Sequence, residues 1–416
     1  MLVSRNNKSR GRWPKRKEGS MKKVIVGALL LLIGCLYAGG WDNEVMGVRQ
    51  LGMGSIFAGI ADDATAIFYN PAGILSKNLD VIIEGVAQLP KHSYFSDALG
   101  KTIYSKKNSI IPQLFFTYKL NDKAGLGLGV YAPYGGGVVG WKKEDLGMLL
   151  ESGLAVYTLT PTLAYQLTPN LSIGVKGNIY YGFVMQKKDT LIGTITDTID
   201  VDAKGPAFSG GLGILWKNDK IGIGLSVRGP AKIKLSGTYD SKQMGEHDID
   251  MEFNLPTNIL FGIGYKVTSN LTLGIDAEYS MWSALDIFKT TVKEVTTPLG
   301  TIDLEQEDTL DFENIYKIKA GGEYTLGNGL ALRFGAAYDK YSIPDKSLNP
   351  VNIDVDKYVV FLGLGYTVNK VQLNLSSLYA MGQKREVTEE VAPGVTITSK
   401  YNLNAFVIGA GIRYSF

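Results

Sequence analysis

Few side chains in this 416-residue chain are suited to chemistry. It holds two histidines, His92 and His247, and one cysteine, Cys35. One cysteine excludes an internal disulfide framework and any multi-cysteine metal site. Two histidines leave little for a His-rich metal centre or a His-activated nucleophile. The other candidates are charges. Lys176, Arg228, Lys317, Lys319, Arg333 and Arg413 fall, by strand alternation, on one face with Asp276, Glu278, Glu323 and Asp339. Such a set can neutralise itself as a solvated network filling an interior, or hold the carboxylate of a ligand. No catalytic residue, metal or cofactor is expected.

The elements that position these charges have a period of two. In Leu271–Met281 the residues Leu271, Leu273, Ile275, Ala277 and Tyr279 alternate with Thr272, Gly274, Asp276, Glu278 and Ser280. Leu330–Asp339, Val371–Ser376 and Phe406–Phe416 repeat the pattern, which marks strands with one apolar face. A soluble sandwich also alternates. Three features favour a membrane barrel. The polar faces are glycine-rich, the segments run to ten or more residues, and aromatics cluster at the ends of the apolar faces (Tyr279, Tyr338, Tyr379, Tyr414, Phe416). A lipid-facing apolar band, aromatic girdles and a polar lumen predict this composition.

Turns give the count. Short ones fall at 121–122, 168–170, 217–220, 268–270, 327–328 and 368–370, with longer polar stretches near 91–108, 135–153, 187–204, 237–248, 290–310, 342–352 and 387–398. Six short and seven long connections make fourteen strands with both ends periplasmic. The fold class expected is all-β, a transmembrane antiparallel barrel over 78–416. Glycines such as Gly222, Gly224, Gly274 and Gly335 either leave room in the lumen or mark bends.

The net charge of +3 is an end effect. Residues 1–23 carry nine bases and one acid, and the remainder has a net charge of −5. The body of the chain therefore offers a nucleic acid nothing. After Lys22-Lys23 an apolar run of 14 residues, Val24–Tyr37, leads to Ala38-Gly39-Gly40. Basic start, short apolar core and small-residue end make a secretory signal peptide. Residues 1–38 are thus an upstream extension plus signal, with Met21 the natural start and cleavage near Ala38. Leu32-Ile33-Gly34-Cys35 also resembles a lipoprotein box that would lipidate Cys35.

Residues 39–77 do not alternate. They contain Asp62-Asp63 and Asn70-Pro71-Ala72, where Asn suits a helix cap and Pro a first helical turn. Ala61-Asp62-Asp63-Ala64 with Asn70-Pro71-Ala72, directly behind a signal peptide, resembles the FadL/TodX (OMPP1) family of outer-membrane transporters of long-chain fatty acids and hydrocarbons. Phe253-Asn254-Leu255-Pro256, Tyr279–Ser283, Ala336–Asp339 and the terminal Arg413–Phe416 extend the likeness along the mature chain.

The resemblance implies that residues 39–77 form an N-terminal hatch inside the lumen, with Asp62, Asp63, Asn70, Pro71 and Ala72 as its signature. It implies capture of a hydrophobic solute by extracellular loops, here Trp141, Leu146, Leu149 and Leu150. A pathway past Trp41, Phe57, Pro133, Gly135, Lys187 and Arg228 would follow, with sideways exit at a kink in the third strand. Partners would be outer-membrane lipid, hydrophobic small molecules and, through Phe416, the barrel assembly machinery. Fatty-acid members hold the carboxylate with lumen bases, and Arg228 is the best match here. The acidic Glu305-Gln306-Glu307-Asp308 departs from that pattern and leaves neutral hydrocarbons open. A porin for polar solutes is the main rival, and a hatch argues against it. An outer-membrane phospholipase would need a His beside a Ser in the membrane band, whereas both histidines fall in predicted extracellular loops.

Overall fold

The computed structural model describes residues 42, 43, 45–192, 195–297 and 300–416. The signal segment, Cys35 and Trp41 lie outside the described residues. The strands are β1 (Leu79–Ser96), β2 (Lys101–Ser105), β3 (Ser109–Lys119), β4 (Ala124–Trp141), β5 (Leu150–Thr168), β6 (Leu171–Ile192) and β7 (Ile195–Lys217). They continue with β8 (Ile221–Arg228), β9 (Ala231–Ser241), β10 (Gly245–Leu255), β11 (Asn258–Lys266), β12 (Leu271–Ser280), β13 (Ile287–Thr297) and β14 (Gly300–Thr309). The last six are β15 (Ile315–Thr325), β16 (Leu330–Asp339), β17 (Lys357–Val368), β18 (Val371–Gly382), β19 (Arg385–Ala392) and β20 (Val395–Ser415).

Fourteen of them close an antiparallel barrel: β1, β3 to β8, β11, β12, β15 to β18 and β20. Closure is the pairing of β1 with both β3 and β20, from Asp80↔Ser415 to Ser96↔Ser399. It joins the last strand to the first, as lipid requires because it offers backbone groups no partner. The six short turns join wall strands at the lower end. At the upper end β2, β9, β10, β13, β14 and β19 extend the wall into a crown.

Alternation holds throughout. On β12, Ile275 is 59% exposed while Asp276 is 2% exposed. Aromatics ring the outside in two belts. The upper belt runs through Tyr279, Tyr316, Tyr338, Tyr358, Tyr379 and Phe406, paired directly or offset by two residues on neighbouring strands. The lower one includes Tyr118, Tyr165, Trp216, Tyr265, Tyr324, Tyr366 and Tyr414. On β15 the belts are marked by Tyr316 and Tyr324. Eight residues at about 3.4 Å each, tilted about 40°, separate them by about 21 Å, close to the apolar band of an outer-membrane barrel.

The interior holds two apolar cores. The lower is residues 45–75 packed on the inner wall, with Val48, Leu51, Phe57 and Ile67 wholly buried. The upper lies in the crown, where Phe253 stacks on Phe288 at 5.2 Å among Ile233, Tyr239, Met251 and Val292.

Candidate functional site

The floor of the site is the inserted segment 45–76. It contains the helical turns Val48–Gly52 and Ala66–Tyr69 and the 3-10 helix Pro71–Ser76. Asn70 caps that last helix, accepting from the Ala72 N–H at 3.2 Å, and its amide donates to Ala58 O and to Ile214 O of the wall, both at 3.0 Å. Pro71 occupies the first turn, where its missing N–H costs nothing. Asp63 accepts from Thr65 N, Gln50 Nε2 and Arg49 Nη1.

Arg49 is the centre of an ionic clasp. It pairs with Asp62, Asp63 and, at 2.9 Å, with Glu323 on β15, which Arg333 of β16 also holds at 2.6 Å. Burial would raise the Asp62 carboxyl, but Arg49 and then Lys217 outweigh it and hold it well below the usual range. The Asp62 side chain is 37% exposed, so solvent screens part of that gain.

The other lumen charges fasten the floor as well. Asp276 accepts from Phe57 N at 2.7 Å and Ala58 N at 2.9 Å. Lys176 donates to the carbonyls of Ile67 and Phe68, while Glu84 accepts from Val48 N. Asp80, held by Arg413, takes Ala64 N. The expected solvated network is instead mostly buried, because the inserted backbone supplies its partners. The lumen glycines serve the same contact. A Cβ on Gly224 would lie 1.8 Å from Ala58 O, and one on Gly335 would lie 2.4 Å from the Gly54 Cα. Glycine is there for close approach of the inserted backbone.

Above the floor is a cavity of about 160 Å³. Asp42 and Asn43 enter from one side, β1 supplies Gln88 and His92, and β17, β18 and β20 supply Phe361, Leu378 and Val407. Trp282 closes another side, donating from Nε1 to Asp42 at 3.2 Å. Lys317 pairs with Asp42 and Asp339, and Lys357 with Asp339 and Asp354. Lys340 also lines the cavity and, among the described residues, makes no ion pair. His92 therefore faces inward from β1 instead of lying in a loop. His247 is on the β9–β10 hairpin, with Nε2 at 2.9 Å from Met244 O.

Beside the cavity the third wall strand is interrupted. Pairing of β3 with β4 runs from Lys119↔Gly125 to Leu114↔Val130 and stops. On its other side β4 slips register against β5 between Tyr131 and Tyr134 and again before Gly137. Gly135 and Gly137 have φ of 117° and 78°, which favour glycine. Pro133 brings no donor to the ladder, and its carbonyl accepts from Asn43 N at 3.0 Å. The start of the inserted segment is thus tied to the interruption. Ile110, Leu114 and Val130 border it on the lipid side, all exposed.

Arg228 sits behind the cavity wall. It is 7% exposed, lies 4.9 Å from the Tyr134 ring and 5.1 Å from that of Phe68, and donates to Asn258 Oδ1. Among the described residues it too makes no ion pair. Tyr134 OH shares the same Asn258 oxygen and its ring meets Trp282 edge-on at 6.1 Å.

Several expected positions lie elsewhere. Lys187 points outward on β6 and pairs with Asp200 at 2.8 Å, because odd-numbered residues of that strand face away from the lumen. Phe57 does not line the cavity; it packs inside the floor against Tyr69 and Arg49. Trp141 is 2% exposed and donates to Pro350 O, so it belongs to the crown's core. Leu146 and Leu150 are half-buried against that core, and the Leu149 N–H donates to Asp189. Glu305 and Glu307 face Lys289 on the crown's exposed side and do not charge the lumen. Arg49, Lys340 and Trp282 escaped expectation, since nothing in their local pattern signals contacts with distant strands. Among the described residues no cluster of three His, Cys, Asp or Glu side chains could hold a metal.

The family model described as "Outer membrane protein transport protein (OMPP1/FadL/TodX)" matches residues 38–416. The chain is 22% identical to the 47 kDa outer membrane protein of Pasteurella multocida, over 94% of this chain and 98% of that one. It is 23% identical to the long-chain fatty acid transport protein of Escherichia coli K12, over 81% and 87%. Among solved structures it resembles a Pseudomonas aeruginosa FadL homologue, with TM-score 0.77, 15% identity and coverage of 92% and 100%. It also resembles the Pseudomonas putida toluene transporter TodX, with TM-score 0.69, 16% identity and coverage of 90% and 99%. A closed fourteen-strand barrel, an inserted segment and a match over nearly the whole mature length agree: this chain belongs to the OMPP1/FadL/TodX family of outer-membrane transport proteins.

Proposed function

We propose that this protein takes up long-chain fatty acids passively across the outer membrane. A solute first meets the extracellular crown. It then enters the cavity over the hatch and leaves sideways between β3 and β4, past Pro133 and Gly135. Residues 39–77 are the hatch and 78–416 the barrel in this reading, and Phe416 is the contact for the barrel assembly machinery. One observation carries the proposal: the cavity lies over a floor clasped to the wall and beside a wall strand whose ladder stops. An apolar solute gains about 0.8 kcal/mol for each CH₂ that leaves water. The lipid-facing route is therefore downhill, and a route through a clasped hatch is not. Lys340 and Arg228 are the cations available to a carboxylate.

A second reading has its own support. The volume of about 160 Å³ matches a cavity of ~150 Å³ that takes up benzene in another protein, so a monoaromatic hydrocarbon fits without reaching beyond the cavity. Uptake of labelled oleate, toluene and a small sugar would be measured in cells lacking their own transport barrels. Protein-dependent oleate flux with no sugar flux is the expected result. Toluene flux alone would select the second reading, and sugar flux would make the protein a porin.

A further inference from the structure

The outward-facing charges of the crown divide into two sectors. On the β6–β14 side five lysines meet carboxylates, Lys187 with Asp200, Lys232 and Lys234 with Glu252, Lys289 with Glu305 and Lys293 with Asp250, while among the described residues Lys204 and Lys242 make no ion pair. Across the barrel, on β1, β2 and β20, the pattern changes. There β18 leaves the wall ladder after Ala380↔Ala405. The chain bends at Gly382, which Asn402 and Asn404 bind through its backbone at 2.8 and 3.1 Å. The bend opens a groove of about 280 Å³ on the outer surface, lined by Phe95, Thr102, Tyr104, Lys384 and Lys400 among others.

Lys91 stands at the groove's lower edge, its Nζ 4.5 Å from the centre of the Tyr104 ring. Among the described residues neither Lys91 nor Lys384 makes an ion pair, and Lys400 meets only Glu386, at 2.9 Å. Height completes the picture. Leu89 pairs with Phe406 of the upper aromatic belt, and Lys91 is two residues further up, about 7 Å along the strand. The groove thus begins where the apolar band ends. Below it Leu89, Phe406 and Ile408 give an exposed apolar track toward the membrane centre.

We propose that this groove binds a phosphorylated lipid of the outer leaflet, its phosphate held by Lys91, Lys384 and Lys400 and its acyl chains lying on the track beneath. Basic groups at the interface attract anionic headgroups, and the attraction is confined to the surface within a Debye length. An anion offers Lys384 and Lys91 the charge partners that the protein withholds from them, whereas Lys187, Lys289 and Lys293 on the other sector already have theirs. The site is separate from the transport path, since these side chains face outward.

The test uses the full-length mature barrel in nanodiscs. Native mass spectrometry would count bound phosphorylated lipid A, the same lipid with its phosphates removed, and inorganic phosphate. A triple variant, Lys91→Gln, Lys384→Gln and Lys400→Gln, would be measured alongside, with its heat-modified gel shift and oleate uptake as controls for folding. The proposal expects retention of the phosphorylated lipid, with affinity falling about tenfold or more in the variant or on removal of the phosphates, as expected when three surface cations lose their partner. Equal binding of the dephosphorylated lipid, or unchanged binding by a folded variant, would overturn it. Binding of inorganic phosphate as tight as that of the lipid would also overturn it, since the acyl track would then contribute nothing. If the variant alone fails to fold, the comparison of the two lipids on the natural protein decides.

Discussion

The two buried regions of this barrel are built in opposite ways. The hatch is bound to its wall by charge and backbone: Arg49 to three carboxylates, Asp276 to two N–H groups, Lys176 to two carbonyls. The crown is held mainly by side-chain packing, with Phe253, Phe288, Ile233 and Val292 at 1% exposure or less; few charges are buried in it, among them Asp197, bonded to Ser241, and Asp354. Directional bonds fix a segment in one pose, because losing one leaves a buried group unmatched. Apolar packing is less directional and tolerates a guest. The inserted floor is thus fastened mainly by directional bonds and the crown mainly by apolar packing, with the cavity between them.

Breaking the clasp should have the largest effect. Arg49→Met leaves Asp62, Asp63 and Glu323 each with fewer partners, and loss of one buried ionic partner costs about 3–5 kcal/mol. Urea unfolding should shift by that amount, and planar-bilayer recordings should show a new ion conductance as the floor loosens. The matched insult to the crown is Phe288→Ala, at about 3–4 kcal/mol for a buried aromatic. Its stability loss should come without new conductance, so the same recordings distinguish the regions.

A smaller effect is expected at the cavity. Lys340→Gln should lower oleate uptake about tenfold, the equivalent of ~1.4 kcal/mol, and leave toluene uptake unchanged. Equal loss of both would remove Lys340 as a carboxylate ligand. The smallest effect is that of mild pH. Asp62 in the clasp is held below its ordinary 3.8, since Arg49 outweighs burial. Asp354, in the loop above the cavity, is likewise lowered, with Lys357 and the Ser342 donors outweighing burial. A depressed carboxyl contributes above its unfolded value and is lost as pH falls through its folded one. These two carboxyls should therefore add no pH dependence to stability between about pH 5 and 8 and lose their contribution only in stronger acid. A steep loss between pH 5 and 7 would mean that other groups control the floor.

The barrel was legible in the chain because one face of each strand meets lipid and the other does not. Ile275 beside Asp276 is that rule in two residues, and the six short turns carried the strand count. The lumen was legible by type and not by partner. Alternation placed Asp276 inside, but its bond to the N–H groups of Phe57 and Ala58 spans more than two hundred residues of sequence and leaves no local trace. Trp141 and its neighbours were expected at the capture surface because apolar residues in a polar loop suggest exposure. The crown extends the wall beyond the membrane and gave Trp141 a core to join, roofed by the loop carrying Ile343, Ile353 and Val355. Lys187 was expected on the pathway from the family resemblance, although the alternation of β6 turns it out.

The central claim is that solute passes beside a hatch that stays seated. Val48 of the hatch approaches β20 so closely that its Cγ2 is 2.9 Å from where a Cβ on Gly409 would sit, which suits a cysteine pair. In the Val48→Cys, Gly409→Cys protein, oleate uptake would be compared before and after oxidation, with bond formation followed by gel shift. Unchanged uptake with the staple closed is the predicted result. Uptake abolished by oxidation and restored by reductant would contradict it, because the hatch would then have to move for transport.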